Sequence, residues 1–528
     1  MNEPGSFARQ ELTLCVNASS PMKSDKREST LESLLRGSIF SFSGLIIHQI
    51  AGVGLRVVLA RYLTPEEFGL VNLGLAVMII VASLSLMGYQ NGVTRFIAFY
   101  NGRGERNKTK ASVISALCFV IPSGLFAGLM VFVFSRHISL RVFHNEGLVP
   151  LLEIFAAAIP LYALTEFAVA GLRGLKKIHL VVLTDRILWR LLPLAIFPLI
   201  FIYLDLRVTG AAYAFLVTII AMCLTSGFLL YREVAPYPTS ADTKACFKEI
   251  SRFSWPLGLV NITNNMKTRA DIFLLGLFLG AVEVGLFSVA STLSAFINLF
   301  LSSVVIIFAP VASELYSRRD TKEIARIFSL VTKWLFLLVF PLVLILIIFP
   351  ERSIVLLFGG PYEDAVPILV ILSTCYFVKT VVGPTGATVL AMGRSRTYMN
   401  INLATVIIGL GLALTLIPTV GVIGAALAAG LSTAFQQISM LYVVKRHIRL
   451  HLFKSKMVLY AMYCILAIVL FALLFEQTMT NLLSFFLGCC CFYLVALLGI
   501  IITKQLEHDD LLLIDKIRDK LVYRMKPS

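Results

Sequence analysis

The sequence predicts an all-α polytopic membrane protein. About fourteen transmembrane helices are expected, as two six-helix repeats forming two lobes around a central cavity, plus two extra C-terminal helices. Three observations predict this. Long apolar stretches recur along the 528 residues, Lys and Arg crowd every second connection, and residues of the first half return in the second at a steady offset. Mean hydropathy is +0.87, with 58% hydrophobic and only 14% charged residues. Crossing a bilayer's hydrocarbon core takes roughly 20 apolar residues. Met457 to Phe475 and Asn481 to Thr503 each meet that length without a charge.

The elements follow in order. A polar N-terminal tail, 1–36, lacks a short apolar core before a small-residue cleavage site, so no cleavable signal peptide is expected. The first lobe, 37–231, holds spans at 37–61, 69–93, 112–135, 149–172, 180–204 and 209–231. A basic linker, 232–252, leads to the second lobe, 253–444, with spans at 253–280, 284–312, 327–350, 364–392, 398–418 and 421–444. Two further spans occupy 457–475 and 481–503. In the tail, 504–528, Leu513, Ile514, Ile517 and Leu521 recur at helical spacing among charges. That pattern fits an amphipathic helix on the inner membrane surface or a solvated tail helix. Pro256, Pro310 and Pro384 are expected to interrupt spans 7, 8 and 10, as hinges or as packing kinks.

Charge gives the orientation. Lys plus Arg number 46 and Asp plus Glu 30, a net charge of +16. The excess is spread over the N-terminal tail, alternate loops (95–110, 173–177, 232–252, 318–326, 394–396, 445–456) and the C-terminal tail. The intervening loops hold little beyond Arg61, Arg136, Arg141, Arg207 and Arg352. By the positive-inside rule both termini are cytoplasmic, in the cell membrane. No basic patch stands apart from this pattern, so nucleic acid is excluded as a partner. The Asn17-Ala18-Ser19 sequon then falls on the cytoplasmic side, where it has no glycosylation role. The nine cysteines form no disulfide framework and no zinc spacing. Cys489, Cys490 and Cys491 read as packing residues inside the last span, with palmitoylation as the sharper alternative.

The repeat has an offset near 216. Phe68-Gly69-Leu70 returns as Val284-Gly285-Leu286, and Tyr100 as Tyr316. Val149-Pro150 returns as Val366-Pro367, Gly174 as Gly393, and Gly210-Ala211-Ala212 as Gly424-Ala425-Ala426. Six helices are an even number, so the two copies enter the membrane with the same orientation. An axis along the membrane normal should relate them, as in transporters with a cavity between two lobes.

Ionisable residues inside spans are the default functional candidates, because each costs several kcal/mol unless paired or hydrated. Here the set is mainly cationic: Arg56 in span 1, Arg186 and Arg190 in span 5, Lys267 and Arg269 in span 7, and Lys379 in span 10. Glu166, Asp185 and Asp271 are the acidic members. Such a lining suits an anionic substrate, held by charge-assisted hydrogen bonds. Lys267 and Asp271, four apart, either neutralise each other or bind substrate or ion. Arg186 and Arg190 either snorkel to headgroups or face the cavity, with Glu166 as a candidate partner. Arg56 lies near the outer interface, where an anchoring role competes. Arg269 and Lys379, near mid-membrane, are the leading substrate-binding candidates. Span 7 is too polar for a lipid-facing helix, carrying Asn261, Thr263, Asn264, Asn265 and Thr268 besides its charges. His447 and His451 suit a basic interfacial helix better than a metal site.

Several segments resemble the polysaccharide transporter family. Leu59-Ala60-Arg61-Tyr62-Leu63-Thr64-Pro65-Glu66-Glu67-Phe68-Gly69 is similar to that family's ARYLGPEEFG connection. Arg95-Phe96-Ile97-Ala98, Tyr100 and the basic loop Gly102 to Lys108 resemble the segment that follows. Arg269 to Gly280 (RADIFLLGLFLG) is similar to its R-x-D-x-x-L-L-G-x-x-L-G helix, Leu357 to Tyr362 to its LLFG-x-x-Y loop, and Gly421 to Ala426 to its G-x-x-GAA turn. The resemblance spans about residues 30–450. It implies membership of the superfamily of Wzx-type O-antigen flippases, lipid II flippases and MATE exporters. The implied activity is flipping a lipid-linked oligosaccharide, on a polyprenyl diphosphate, to the outer leaflet. The implied partners are that substrate, membrane lipids, Na⁺ or H⁺ as coupling ion, and polysaccharide assembly machinery; no cofactor is implied. Asp271 with Asn400 or Asn402, and Glu166, are the ion-coupling candidates on this likeness.

Two other classes compete. An ion-coupled exporter of small amphipathic cations predicts an acidic cavity, and the buried excess is basic. A membrane glycan polymerase needs acid–base residues on a sizeable loop or domain, and the longest extracytoplasmic connection, near Arg352 to Pro361, is too short. No enzymatic activity is expected, and no phosphate-binding glycine loop points to ATP.

Overall fold

The computed structural model describes residues 47–238, 243–448, 455–475 and 481–505; the side chains of 259, 260, 262–267, 455 and 475 are outside this description. The N-terminal tail with its sequon, the Leu513–Leu521 stripe, His451 and the side chains of Asn264, Asn265 and Lys267 therefore lie outside the described residues. Among the described residues, every expected span falls on helix. The helices are α1 (47–62), α2 (Pro65–Leu86), α3 (Tyr89–Gly102), α4 (Arg106–His137), α5 (Leu148–Gly174), α6 (Ile178–Leu204) and α7 (Val208–Val234). The second half continues with α8 (Thr243–Phe278), α9 (Ala281–Ser317), α10 (Thr321–Ile348), the short α11 (Pro350–Phe358), α12 (Val366–Val381), α13 (Thr385–Ala391), α14 (Ser395–Val420) and α15 (Val422–His447). Then come α16 (Ser455–Phe475) and α17 (Leu482–Ile502). Among the described residues, twelve helical segments are long and apolar enough to cross a membrane. The two remaining expected spans are α1, described only from residue 47, and α8, whose charges lower its hydropathy.

Local sequence sets the ends. Thr64 caps α2: its Oγ1 accepts from the Glu67 amide at 3.3 Å and Glu67 Oε2 accepts from the Thr64 amide at 2.9 Å. Pro65 follows at the first turn, where its missing donor costs nothing. The same helix ends on two consecutive left-handed residues, Met87 (φ 42°) and Gly88 (φ 80°), which split span 2 into α2 and α3. Span 10 is split likewise at Gly383-Pro384, as expected. The expected interruptions at Pro256 and Pro310 do not occur: both lie inside continuous helices α8 and α9. Neighbouring helices and side chains re-satisfy the freed carbonyl, which lets membrane helices carry proline.

The duplication is visible where α2 crosses α9. A side chain on Gly69 would collide with the carbonyl oxygen of Ala281, and one on Gly285 with that of Pro65. Residues 65 and 281, like 69 and 285, differ by 216, the offset of the sequence repeat. A contact in which each partner sees the other's equivalent is the signature of a two-fold relation. The two GAA segments also match: Ala211, Ala212, Ala425 and Ala426 are all fully buried. Gly210 packs on the end of α6 at Leu206, and Gly424 on the end of α14 at Leu416.

The same ends of the two halves are tied further. The Arg61 guanidinium donates to the carbonyls of Leu356 and Leu357 at the end of α11. The Tyr362 hydroxyl donates to Leu63 O at 3.1 Å, with its ring edge-on to Phe68. Helix α8, 36 residues and so about 54 Å long, joins the halves. Its first turns pack on the first half: Ser115 donates to Thr243 O (2.7 Å), Tyr100 to Glu249 (2.7 Å), and Tyr89 meets Ser251 at 2.6 Å. Its later turns enter the second half. The extra helices dock on α10, where Tyr460 donates to Leu337 O at 2.8 Å and Tyr493 to Leu338 O at 2.9 Å. Buried Lys333 donates to Gln505 O at 3.2 Å, just past the end of α17. Cys489 packs against this cluster, whereas Cys490 and Cys491 are exposed.

Candidate functional site

Three arginines meet in the interior. Arg56 on α1 lies within electrostatic reach of Arg190 on α6 and Arg269 on α8, and Arg190 within reach of Arg269. All three are half-buried. Arg56 donates to Thr292 Oγ1 on α9 at 2.6 Å, so it is built into the junction of the two halves rather than anchored at an interface. Arg190 lies against Gly52 of α1, where an added Cβ would be 3.2 Å from Nε, and that Nε donates to His48 Nε2 at 3.4 Å. The Arg186 carbonyl meets His48 Nδ1 at 3.2 Å.

The carboxylates of this region are engaged elsewhere. Glu166 hydrogen-bonds Tyr162 one turn away and lies near Asp185 and Arg173. Asp185 and Arg186 belong to a π-helical turn, Val182–Leu188, and attract each other there. The ion pairs among the described residues lie at connections, such as Lys177–Glu233 at 3.0 Å, and none includes Arg56, Arg190 or Arg269. Like charges within reach of one another repel. Guanidinium forks match the geometry of phosphate and carboxylate groups.

Lys379 and Asp271 lie apart from this group. They line a cavity of about 270 Å³ inside the second half, with Tyr376, Thr405, Ser432 and Gln436. Lys379 Nζ lies 5.6 Å from the centre of the Tyr376 ring, and Tyr376 is within electrostatic reach of both Asp271 and Arg56. Lys379 also borders a second, wider cavity of about 650 Å³ that includes Asn402. Asn402 accepts from Gln436 at 2.6 Å, whereas Asn400 is exposed and off both linings. No group of three or more His, Cys, Asp or Glu suited to a metal occurs among the described residues.

The expected site residues thus fall into two sets. Arg56, Arg190 and Arg269 come within reach of one another, Lys379 joins Asp271 and Asn402 along the second-half cavities, and Arg186 lies beside Asp185 in the π-helical turn. Sequence reading missed His48, Tyr162, Thr292 and Tyr376. The signal was spacing: Tyr162 is four residues before Glu166, and Tyr376 three before Lys379, so each shares a helical face with a charge already singled out.

Two helical halves in pseudo-symmetric contact, with buried cations where they meet, define a two-lobed membrane transporter fold. The chain belongs to the family described as polysaccharide biosynthesis protein, which matches residues 34–316, more than half its length. The MatE family also matches, over residues 256–415. A candidate O-antigen transporter of Shigella flexneri is 21% identical over 75% of this chain and 94% of its own. A capsular polysaccharide biosynthesis protein of Staphylococcus aureus is 29% identical over 38% of this chain and 51% of its own. Among solved structures, the inward closed lipid II flippase MurJ superposes with a TM-score of 0.68 at 16% identity, covering 90% of this chain and 99% of that one. An inward-facing MATE multidrug transporter gives 0.64 at 17% identity, covering 78% and 98%.

Proposed function

We propose that this protein flips a polyprenyl-diphosphate-linked oligosaccharide across the cell membrane for surface polysaccharide assembly. The head group passes between two six-helix lobes, 37–231 and 253–444, while the lipid tail stays in the bilayer. The meeting of Arg56, Arg190 and Arg269 carries this reading. It supplies an anion site at the junction of the lobes, where a rocking motion exposes it first to one side and then to the other. The family and the relatives named above support the same substrate class. Both termini are placed in the cytoplasm by the distribution of Lys and Arg. Asp271, with Asn402 nearby, and Glu166 are the candidate groups for coupling to Na⁺ or H⁺; Asn400, exposed to the outside of the lobe, is the weaker member. An exporter of cations is disfavoured, because the three charges gathered at the junction are basic.

The test is export. Arg190→Ala and Arg269→Ala should each lower surface polysaccharide by roughly 10- to 100-fold while protein level and membrane insertion stay unchanged. Normal export by the Arg190→Ala, Arg269→Ala double variant would overturn the cationic-junction mechanism.

A further inference from the structure

The wider cavity of the second half has no role in the arginine site, and its wall has a chemistry of its own. It measures about 650 Å³, within the range of roughly 300–1,000 Å³ typical of small-molecule sites. Carboxamides from three helices converge on it: Asn298 of α9, Asn402 of α14, and Gln436 and Gln437 of α15. Thr385 and Tyr398 add hydroxyls. These groups are set in place before any ligand arrives. Gln436 donates to Asn402 Oδ1 at 2.6 Å, Asn402 Nδ2 donates to Tyr398 O at 2.9 Å, and Thr385 donates to Gln437 Oε1 at 2.8 Å. The lining contains no carboxylate, and Lys379 is its one charged member.

Between these groups the wall carries apolar side chains, among them Leu301, Val305, Leu390 and Met440. Without a carboxylate it does not suit a divalent cation. Amides and hydroxyls held in fixed directions match the hydroxyl and acetamido groups of sugars. We infer that this cavity receives the first sugars of the glycan head, including an N-acetylated sugar, while the arginine junction holds the diphosphate. The inference rests on the flippase reading above. Lys379 borders both second-half cavities and Tyr376 lies within reach of Arg56, so the two binding regions adjoin through these side chains.

The experiment uses the full chain in lipid nanodiscs and two probes, a polyprenyl diphosphate and the same lipid bearing N-acetylglucosamine. Wild type should bind the sugar-bearing probe more tightly. Gln436→Leu and Asn298→Leu should each weaken it by about tenfold, as loss of a positioned hydrogen bond does, and leave the bare diphosphate lipid unchanged. Arg190→Ala should weaken both probes equally. Unchanged binding of the bare lipid is also the control for folding. If the Leu variants lose neither probe, or lose both alike, the sugar site is overturned while the diphosphate reading stands. If wild type binds neither probe, the flippase reading fails and this inference with it.

Discussion

At the scale of single residues, the decisive property is which helical face a charge occupies. Arg269 and Asp271 are two apart on α8 and so about 200° apart around it. The arginine turns to the junction with Arg56 and Arg190, and the aspartate to the second-half cavity. The sequence made both residues visible, because charges at depth are conspicuous, but it grouped Arg269 with Lys379 on depth alone. Facing depends on the rotation of α8 and on the π-turn in α6, neither of which hydropathy records. Arg56 shows the same limit: its position near the end of span 1 reads as an anchor, yet it hydrogen-bonds Thr292 across the junction. Arg56→Ala should therefore lower export as much as Arg190→Ala, by roughly 10- to 100-fold, the size of one lost charged hydrogen bond. Export assayed by surface polysaccharide at matched protein level checks this. Arg269→Lys should keep part of the activity if charge suffices, and little if bidentate contact is needed.

At the scale of elements, close helix approach explains features that polarity cannot. Gly69 and Gly285 let α2 and α9 touch backbone to backbone, and a methyl group at either meets a carbonyl oxygen that cannot swing aside. Gly69→Ala should thus destabilise the purified protein by about 1–3 kcal/mol, seen as a lower unfolding temperature in detergent. Gly411→Ala, in an exposed turn of α14 with nothing near its Cβ, should be neutral or stabilising by up to about 1 kcal/mol. Equal effects at the two sites would refute the packing account. The spans and their pairing by 216 were legible in the sequence, since both are written in apolar runs and small residues. The break at Met87-Gly88 was not, because nothing beyond one glycine marks it and no proline is present. The prolines that did draw attention, Pro256 and Pro310, are absorbed within continuous helices. A proline signals a lost hydrogen bond; whether the helix breaks depends on its neighbours.

At the scale of the whole molecule, the orientation and the state can be tested together. Thiol labelling from outside sealed cells should reach Cys substitutions at Glu66, Arg141 and Glu363, and not at Arg106, Lys244 or Arg319; the opposite pattern would invert the topology. On that orientation, the ends joined by Arg61, Tyr362 and the Gly69–Gly285 crossing are the outer ends. The halves meet there through backbone contacts and a guanidinium bound to two carbonyls, so they are closed together at this end. Alternating access requires these contacts to separate in each cycle, because the head group cannot pass a backbone-to-backbone contact. An Arg61→Cys, Leu357→Cys pair places one thiol on each side of the closure. Joining them with a short cleavable bis-maleimide should stop export, and cleaving the linker should restore it. Each single substitution treated the same way should keep exporting, apart from the modest loss caused by removing Arg61. Undiminished export by the cross-linked protein would mean that the lobes do not part at this end, and that the head group leaves by another route.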